Sequence, residues 1–149
     1  MSVWTPRATV ACVVEDNGRY LMVEERDKTT GKMVFNQPAG HLDENESLAE
    51  GALRETFEET GWRVELQGIL SISLYKAPSN GVTFHRTTFL ASPIEHDQAA
   101  IIDSDIHAVH WLDLAAIEAV SDKLRSPLVL ASIERQRRGI CYPLDVIES

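Results

Sequence analysis

The clearest pattern in the chain lies near its start. Ala8-Thr9-Val10-Ala11-Cys12-Val13-Val14 is an almost unbroken apolar run, Asn17-Gly18 follows, and Tyr20-Leu21-Met22-Val23 returns apolar between Arg19 and Glu24. Asn-Gly adopts the positive φ angles of a two-residue hairpin loop, so two buried strands joined by a tight turn are expected. Residues 34–37 fit a short strand, which Pro38-Ala39-Gly40 stops. The period then changes: Leu48, Ala49, Ala52, Leu53, Thr56, Phe57 and Thr60 fall on one side of a helix at 100° per residue, which predicts its core face. Ser47 with Glu50 three positions on forms a capping box, and Gly61 is the stop. Residues 64–75 and 82–90, separated by Pro78-Ser79-Asn80-Gly81, predict a second and longer hairpin. Residues 91–104 are polar and broken by Pro93, which predicts a loop, and 106–112 predict a strand. Asp113 caps a short helix over 114–120, and Ser126 with Pro127 opens a last helix that runs to about Arg138 and stops at Gly139. Mixed strands with two or three helices make an α/β or α+β sandwich.

Composition narrows this further. A chain of 149 residues with no repeat and no linker-like stretch has room for one core, so one domain over residues 1–149 is expected. No apolar run approaches the roughly 18 residues of a membrane span, and the first six residues lack a signal-peptide layout, so a cytoplasmic protein without a membrane partner is expected. Cys12 and Cys141 lie far apart in apolar contexts and read as reduced, structural thiols. The 14 basic and 23 acidic residues leave a net charge of −9, which argues against a nucleic-acid partner.

The acidic excess is concentrated. Between Gly40 and Trp62 stand Asp43, Glu44, Glu46, Glu50, Glu55, Glu58 and Glu59 against Arg54 alone. Glu55, Glu58 and Glu59, at i, i+3 and i+4, are placed on the side of the helix away from the apolar stripe, where they repel one another. A solvated acidic face is one reading. A site for a hard divalent cation, which takes several oxygen ligands, is the other.

The spacing Gly40, five residues, Glu46, seven residues, Arg54-Glu55-Thr56-Phe57-Glu58-Glu59-Thr60-Gly61-Trp62 resembles the Nudix box, with Thr56 and Trp62 standing where aliphatic residues are commoner. Asn36-Gln37-Pro38-Ala39-Gly40-His41-Leu42, Asp103-Ser104-Asp105-Ile106 and Leu124-Arg125-Ser126-Pro127-Leu128-Val129 are similar to the bacterial Nudix phosphatases of the NudJ type. The resemblance implies an α/β/α sandwich with a mixed central sheet. It also implies a Mg²⁺-dependent hydrolase, with Mn²⁺ as a possible substitute. In such an enzyme Glu55, Glu58, Glu59 and the Gly40 carbonyl are metal ligands, Arg54 orients a glutamate and Glu46 braces the loop. Glu55 or Glu59 is then the general base. Asp105, six residues before Trp111, is a further catalytic carboxylate.

Phosphoanhydrides are polyanions, which an acidic pocket repels unless a cation intervenes, so metal and substrate are co-dependent. Arg86, between Phe84 and Phe89, and Arg7 are candidates for a phosphate, although a strand arginine also pairs with neighbouring acids. Gln37 is a candidate to hydrogen-bond the substrate, although a glutamine before proline is also ordinary loop chemistry; His41, directly after Gly40, is a candidate to line the loop at the metal, and Tyr75 to stack on a base or pyrimidine. Arg135, Arg137 and Arg138 read as a solvated helix end.

Three functions follow from the resemblance. One is release of orthophosphate from nucleoside tri- and diphosphates and hydroxymethylpyrimidine diphosphate. The second is cleavage of an internal linkage, as in ADP-ribose. The third is nucleotide sensing without turnover, which the intact glutamate set disfavours. A small-molecule substrate is expected, and a monomer rather than a homodimer.

Overall fold

The computed structural model describes residues 2–148, so Met1 and Ser149, the ends of the expected domain, lie outside it. Seven strands occur among the described residues: β1 (Arg7–Asp16), β2 (Arg19–Arg26), β3 (Met33–Asn36), β4 (Ala39–His41), β5 (Trp62–Lys76), β6 (Thr83–His96) and β7 (Ile106–Asp113). The helices are α1 (Leu48–Thr60), α2 (Leu114–Ala119) and α3 (Leu128–Arg137). The sheet runs β3-β2-β1-β6-β5, with β4 also on β1 and β7 also on β2. It is mixed, as expected: β1 and β6 are parallel and the other pairs antiparallel.

Two cores flank this sheet, and period-two alternation sorts side chains between them. Val10, Cys12, Val14 and Leu21 join Ala52 of α1 on one side. Val13, Tyr20 and Met22 join Ile117 of α2 with Val129 and Ile133 of α3 on the other. Burial on both faces explains why the runs in β1 and β2 are continuous rather than alternating. The hairpin forms with both turn residues at positive φ, Asn17 at 50° and Gly18 at 79°. Its strands pair only through Glu15–Tyr20 and Asp16–Arg19, because β1 turns to β6 and β4 while β2 turns to β7 and β3.

Two expectations need correction. Residues 91–96, read as loop, continue β6 through Pro93. β1 leaves β6 after Val14–Ala91, so no ladder bond is asked of the proline on that side, and on the other it sits at a bulge against Arg63 and Val64. Pro38-Ala39-Gly40 does end β3 at Asn36, but its Ala39 and Gly40 are themselves strand, the first two residues of β4.

Candidate active site

α1 is anchored at both ends as its sequence requires. Ser47 accepts from the Glu50 amide and Glu50 accepts from the Ser47 amide, both at 3.0 Å, and Gly61 closes the helix at φ 75°. Its docking face differs from the expected stripe. Leu53 is exposed, and Glu59, expected outside with Glu55 and Glu58, is only 6% exposed. Gly51 is the cause: a Cβ there would lie 2.8 Å from Leu42 and 2.9 Å from Glu46, so the helix rolls onto its glycine side and carries Glu59 inward with Ala52 and Thr56.

Arg54 gathers the oxygens around it. Nε and Nη2 donate to the two Glu46 oxygens at 2.7 and 2.9 Å, Nη1 to Glu55 at 2.8 Å and Glu58 at 3.1 Å, and Nη2 also to the His41 carbonyl at 3.0 Å. These bonds, with the Asp43 amide, hold the Glu46 carboxyl down at about 2. Among the described residues Glu59 has no such cation. Its Oε1 accepts only from the Ala39 amide at 2.9 Å, and burial, followed by the charge of Glu25, pushes its pKa up to about 9. Burial raises Glu55 too, against the pull of Arg54.

Gly40 is held in register with Val10, under Glu55. A Cβ there would lie 2.2 Å from the Glu55 carboxyl carbon. Gly40→Ala should therefore displace that carboxylate while sparing the fold. We expect turnover to fall about a hundredfold, the cost of a displacement of about 1 Å at a reacting centre, with melting shifted by a few degrees at most. A variant with full turnover would show that Glu55 has no fixed task.

The expected phosphate-binding residues are held mainly by the sheet. Cross-strand register puts His41, Thr9, Arg86 and Ser73 in one row, and Arg7, Phe84 and Tyr75 in the next, on the same face. The His41 and Phe84 rings are 6.2 Å apart. Arg86 is buried, donating to Gln37 at 2.6 Å, Thr88 at 3.2 Å and Asn36 at 3.5 Å, and burial lowers it to about 10, so it stays charged at neutral pH. Gln37 uses its other end on the Val129 carbonyl at 2.8 Å, so both its polar atoms are engaged within the protein. Tyr75 is half-buried and Arg7 exposed.

Asp105 is drawn aside. It pairs with Lys28 at 3.0 Å, both well exposed, beside a surface depression of ≈ 370 Å³ that none of the α1 glutamates lines. Asp103 stands closer: its amide donates to the Glu58 carbonyl at 2.9 Å, and its charge raises both Glu55 and Glu59. Sequence reasoning assigned no role to Asp103, Glu25, Asn36 or Arg125. Three of them lie in segments that carry the family resemblance, which was the available signal, whereas Glu25 had none.

The donors fit a hard divalent cation in kind, because all are oxygens and Glu59 is a buried carboxylate lacking a positive partner. Among the described residues no three acidic, histidine or cysteine groups converge into a ready-made cage. Arg54 instead pairs with Glu55 at 2.8 Å and with Glu58 at 3.1 Å.

Comparison with known proteins gives the family. A NUDIX domain model matches residues 4–131. Phosphatase NudJ of Escherichia coli K12 is 39% identical over 145 residues, covering 97% of this chain and 92% of the relative. A solved NUDIX hydrolase from Nitrosomonas europaea superposes with a TM-score of 0.94 at 36% identity over 97% of both chains. A MutT NUDIX hydrolase from Burkholderia pseudomallei, at 22% identity and TM-score 0.68 over 89% of this chain and 98% of its own, shares the fold. With a family match over most of its length and relatives this similar, the chain belongs to the Nudix family and is a hydrolase of phosphorus-containing anhydrides.

Proposed function

We propose that the protein removes the terminal phosphate of small diphosphates and triphosphates, of nucleosides or of hydroxymethylpyrimidine, with Mg²⁺ as its cation and Mn²⁺ as a substitute. The observation that carries this reading is the meeting of two charge groups on one short stretch of chain: Gln37 accepts from Arg86 at 2.6 Å, and two residues on the Ala39 amide donates to Glu59 at 2.9 Å. A phosphoanhydride needs both, a cation site at the reacting phosphorus and guanidinium groups for its remaining charge. The name phosphatase, borne by the NudJ relatives, supports release of orthophosphate.

Glu55, Glu58, Glu59 and the Gly40 carbonyl would hold the cation, which when bound supplies neutralisation of phosphate oxygens and a more acidic water. Glu55 and Glu59 each keep one oxygen without a donor among the described residues, and the proton of the attacking water goes to one of these. Arg54 and Glu46 keep Glu55 and the loop before α1 in position. Arg86 and Gln37 fix the floor of the basic side, with Arg7 and His41 at its surface and Tyr75 beside Phe84 for the organic group. The enzyme acts as a single-domain monomer in the cytoplasm, and no helix among the described residues is long and apolar enough to cross a membrane.

A panel of nucleoside tri- and diphosphates, hydroxymethylpyrimidine diphosphate and ADP-ribose, scored with Mg²⁺ for orthophosphate, pyrophosphate and paired monophosphates, tests the reading. Orthophosphate from the first three is expected. Preferred cleavage of ADP-ribose into two monophosphates would overturn it. The two aspartates separate in the same assay. Asp103→Asn should lower the rate by roughly ten- to a hundredfold, because its charge reaches Glu55 and Glu59. Asp105 acts alongside it by presenting its amide to Asp103 Oδ1 at 3.1 Å. Asp105→Asn keeps that amide and should have the smaller effect; the reverse order would assign the catalytic role to Asp105.

A further inference from the structure

Arg125 stands where the acidic and basic groups meet. It lies outside the regular elements, yet its backbone is fixed: Leu124 bridges Phe35 of β3, and the Arg125 amide donates to the Phe35 carbonyl at 2.8 Å. Its Nη1 donates to Glu25 Oε1 at 2.8 Å. Glu25 is in turn aimed by the irregularity that β2 makes against β7 between Glu24 and Glu25, the kind of bulge that redirects one side chain. The Glu25 side chain is 13% exposed and that of Arg125 40%, so the guanidinium rises from a buried carboxylate toward solvent.

Among the described residues, Nη1 is the only guanidinium nitrogen of Arg125 with a protein partner. Two further nitrogens keep their donors free. Arg125 also acts on Arg86 and on His41, which Arg7 faces as well. Glu25 offsets part of this gathering of like charge, and an anion at the free donors of Arg125 relieves more of it.

We propose that Arg125 is a specificity-determining residue, whose free donors recognise the terminal phosphate of the substrate while Glu25 holds the guanidinium in place. This rests on the reading of the protein as a phosphoanhydride hydrolase. A terminal phosphate carries a third non-bridging oxygen and a second negative charge that a guanidinium fork can take up, and a diphosphate esterified at both ends has neither.

The test is binding of imidodiphosphate, a pyrophosphate analogue that is not turned over, measured by calorimetry with Mg²⁺ on the wild type, Arg125→Ala and Arg125→Lys. Affinity should fall roughly ten- to a hundredfold in Arg125→Ala and less in Arg125→Lys, as for loss of hydrogen bonds to a charged group. KM for a nucleoside diphosphate should rise by the same factor, at least about tenfold more than for ADP-ribose, with most of the change in KM rather than kcat. If Arg125→Ala does not fold, Arg125→Lys alone decides by the same measurements. Unchanged binding, or an equal fall in kcat for both substrate classes, would mean that Arg125 only supports Glu25 and would overturn the proposal, as would a wild type that does not bind imidodiphosphate. If the wild type binds the analogue but hydrolyses no member of the panel, the functional reading fails and the binding comparison still decides Arg125.

Discussion

Glu59→Gln should raise the melting temperature of the metal-free protein near neutral pH while lowering turnover by roughly two to four orders of magnitude. The glutamine keeps the acceptor for the Ala39 amide and removes the charge. Burial and the neighbouring Glu25 hold the Glu59 carboxyl at about 9 instead of the ordinary range near 4.5. Between those values the native state binds more protons than the unfolded chain, so the contribution of this group is complete below about pH 4.5 and is lost as pH rises toward about 9. Metal-free wild type should accordingly lose stability with rising pH over that window, and the variant should lose less. Mg²⁺ should stabilise the wild type more at the alkaline end, where no proton has to be displaced, and should stabilise the variant little. Thermal melts with and without Mg²⁺ across the window check this, together with steady-state rates. Wild-type turnover in the variant would remove Glu59 from the reaction, and an unchanged metal-free melting curve would show that its charge is relaxed by other means.

The same glutamate marks the limit of what the sequence disclosed. Capping box, helix stop, hairpin turn and box spacing are local, set by residues a few positions apart, and each is found where its residues stand. The roll of α1 is not local. It follows from the absence of a side chain at Gly51 and the packing of Leu42 and Glu46 into that space, and hydrophobic periodicity, which scores only the side chains present, turns Glu59 outward and Leu53 inward. Pro93 is strand rather than loop for a related reason, since a proline breaks a strand only where a neighbour needs its missing donor, and that depends on where β1 ends. Glu25 and Arg125, 100 positions apart, meet only through the pairing of β2 with β3 and of residue 125 with Phe35. No single-chain pattern encodes such a pair.

The acidic cluster is thus held by unequal means. Asp43, Glu46, Glu55 and Glu58 share Arg54, whereas among the described residues Glu59 has only a backbone amide. A cation entering the site finds one carboxylate without a positive partner and two that must loosen from the guanidinium, so affinity and ligand geometry depend on how firmly Arg54 holds them.

Arg54→Ala should therefore be the most disruptive single change outside the apolar cores. It removes bonds to Glu46, Glu55, Glu58 and the His41 carbonyl at once and leaves the acids facing one another, a loss of about 2–4 kcal/mol for breaking charged, partly buried hydrogen bonds. Turnover should fall with it, because Glu55 loses the donor on its Oε1. The deficit in stability has a pH signature. Arg54 holds Glu46 down at about 2, so the stability this pair contributes is present above about pH 4.5 and is lost as pH falls toward about 2; the gap between wild type and variant should narrow over that interval. Arg54→Lys restores a charge without the planar fork, and one ammonium cannot serve the four carboxylates of Asp43, Glu46, Glu55 and Glu58 and a carbonyl in the same geometry. It should recover part of the melting temperature and little of the rate. Excess Mg²⁺ should raise the melting temperature of Arg54→Ala more than that of wild type, since the cation then meets glutamates that nothing else neutralises. A lysine variant with full rate and wild-type melting would reduce Arg54 to a surface charge and remove the basis for reading these glutamates as a positioned set.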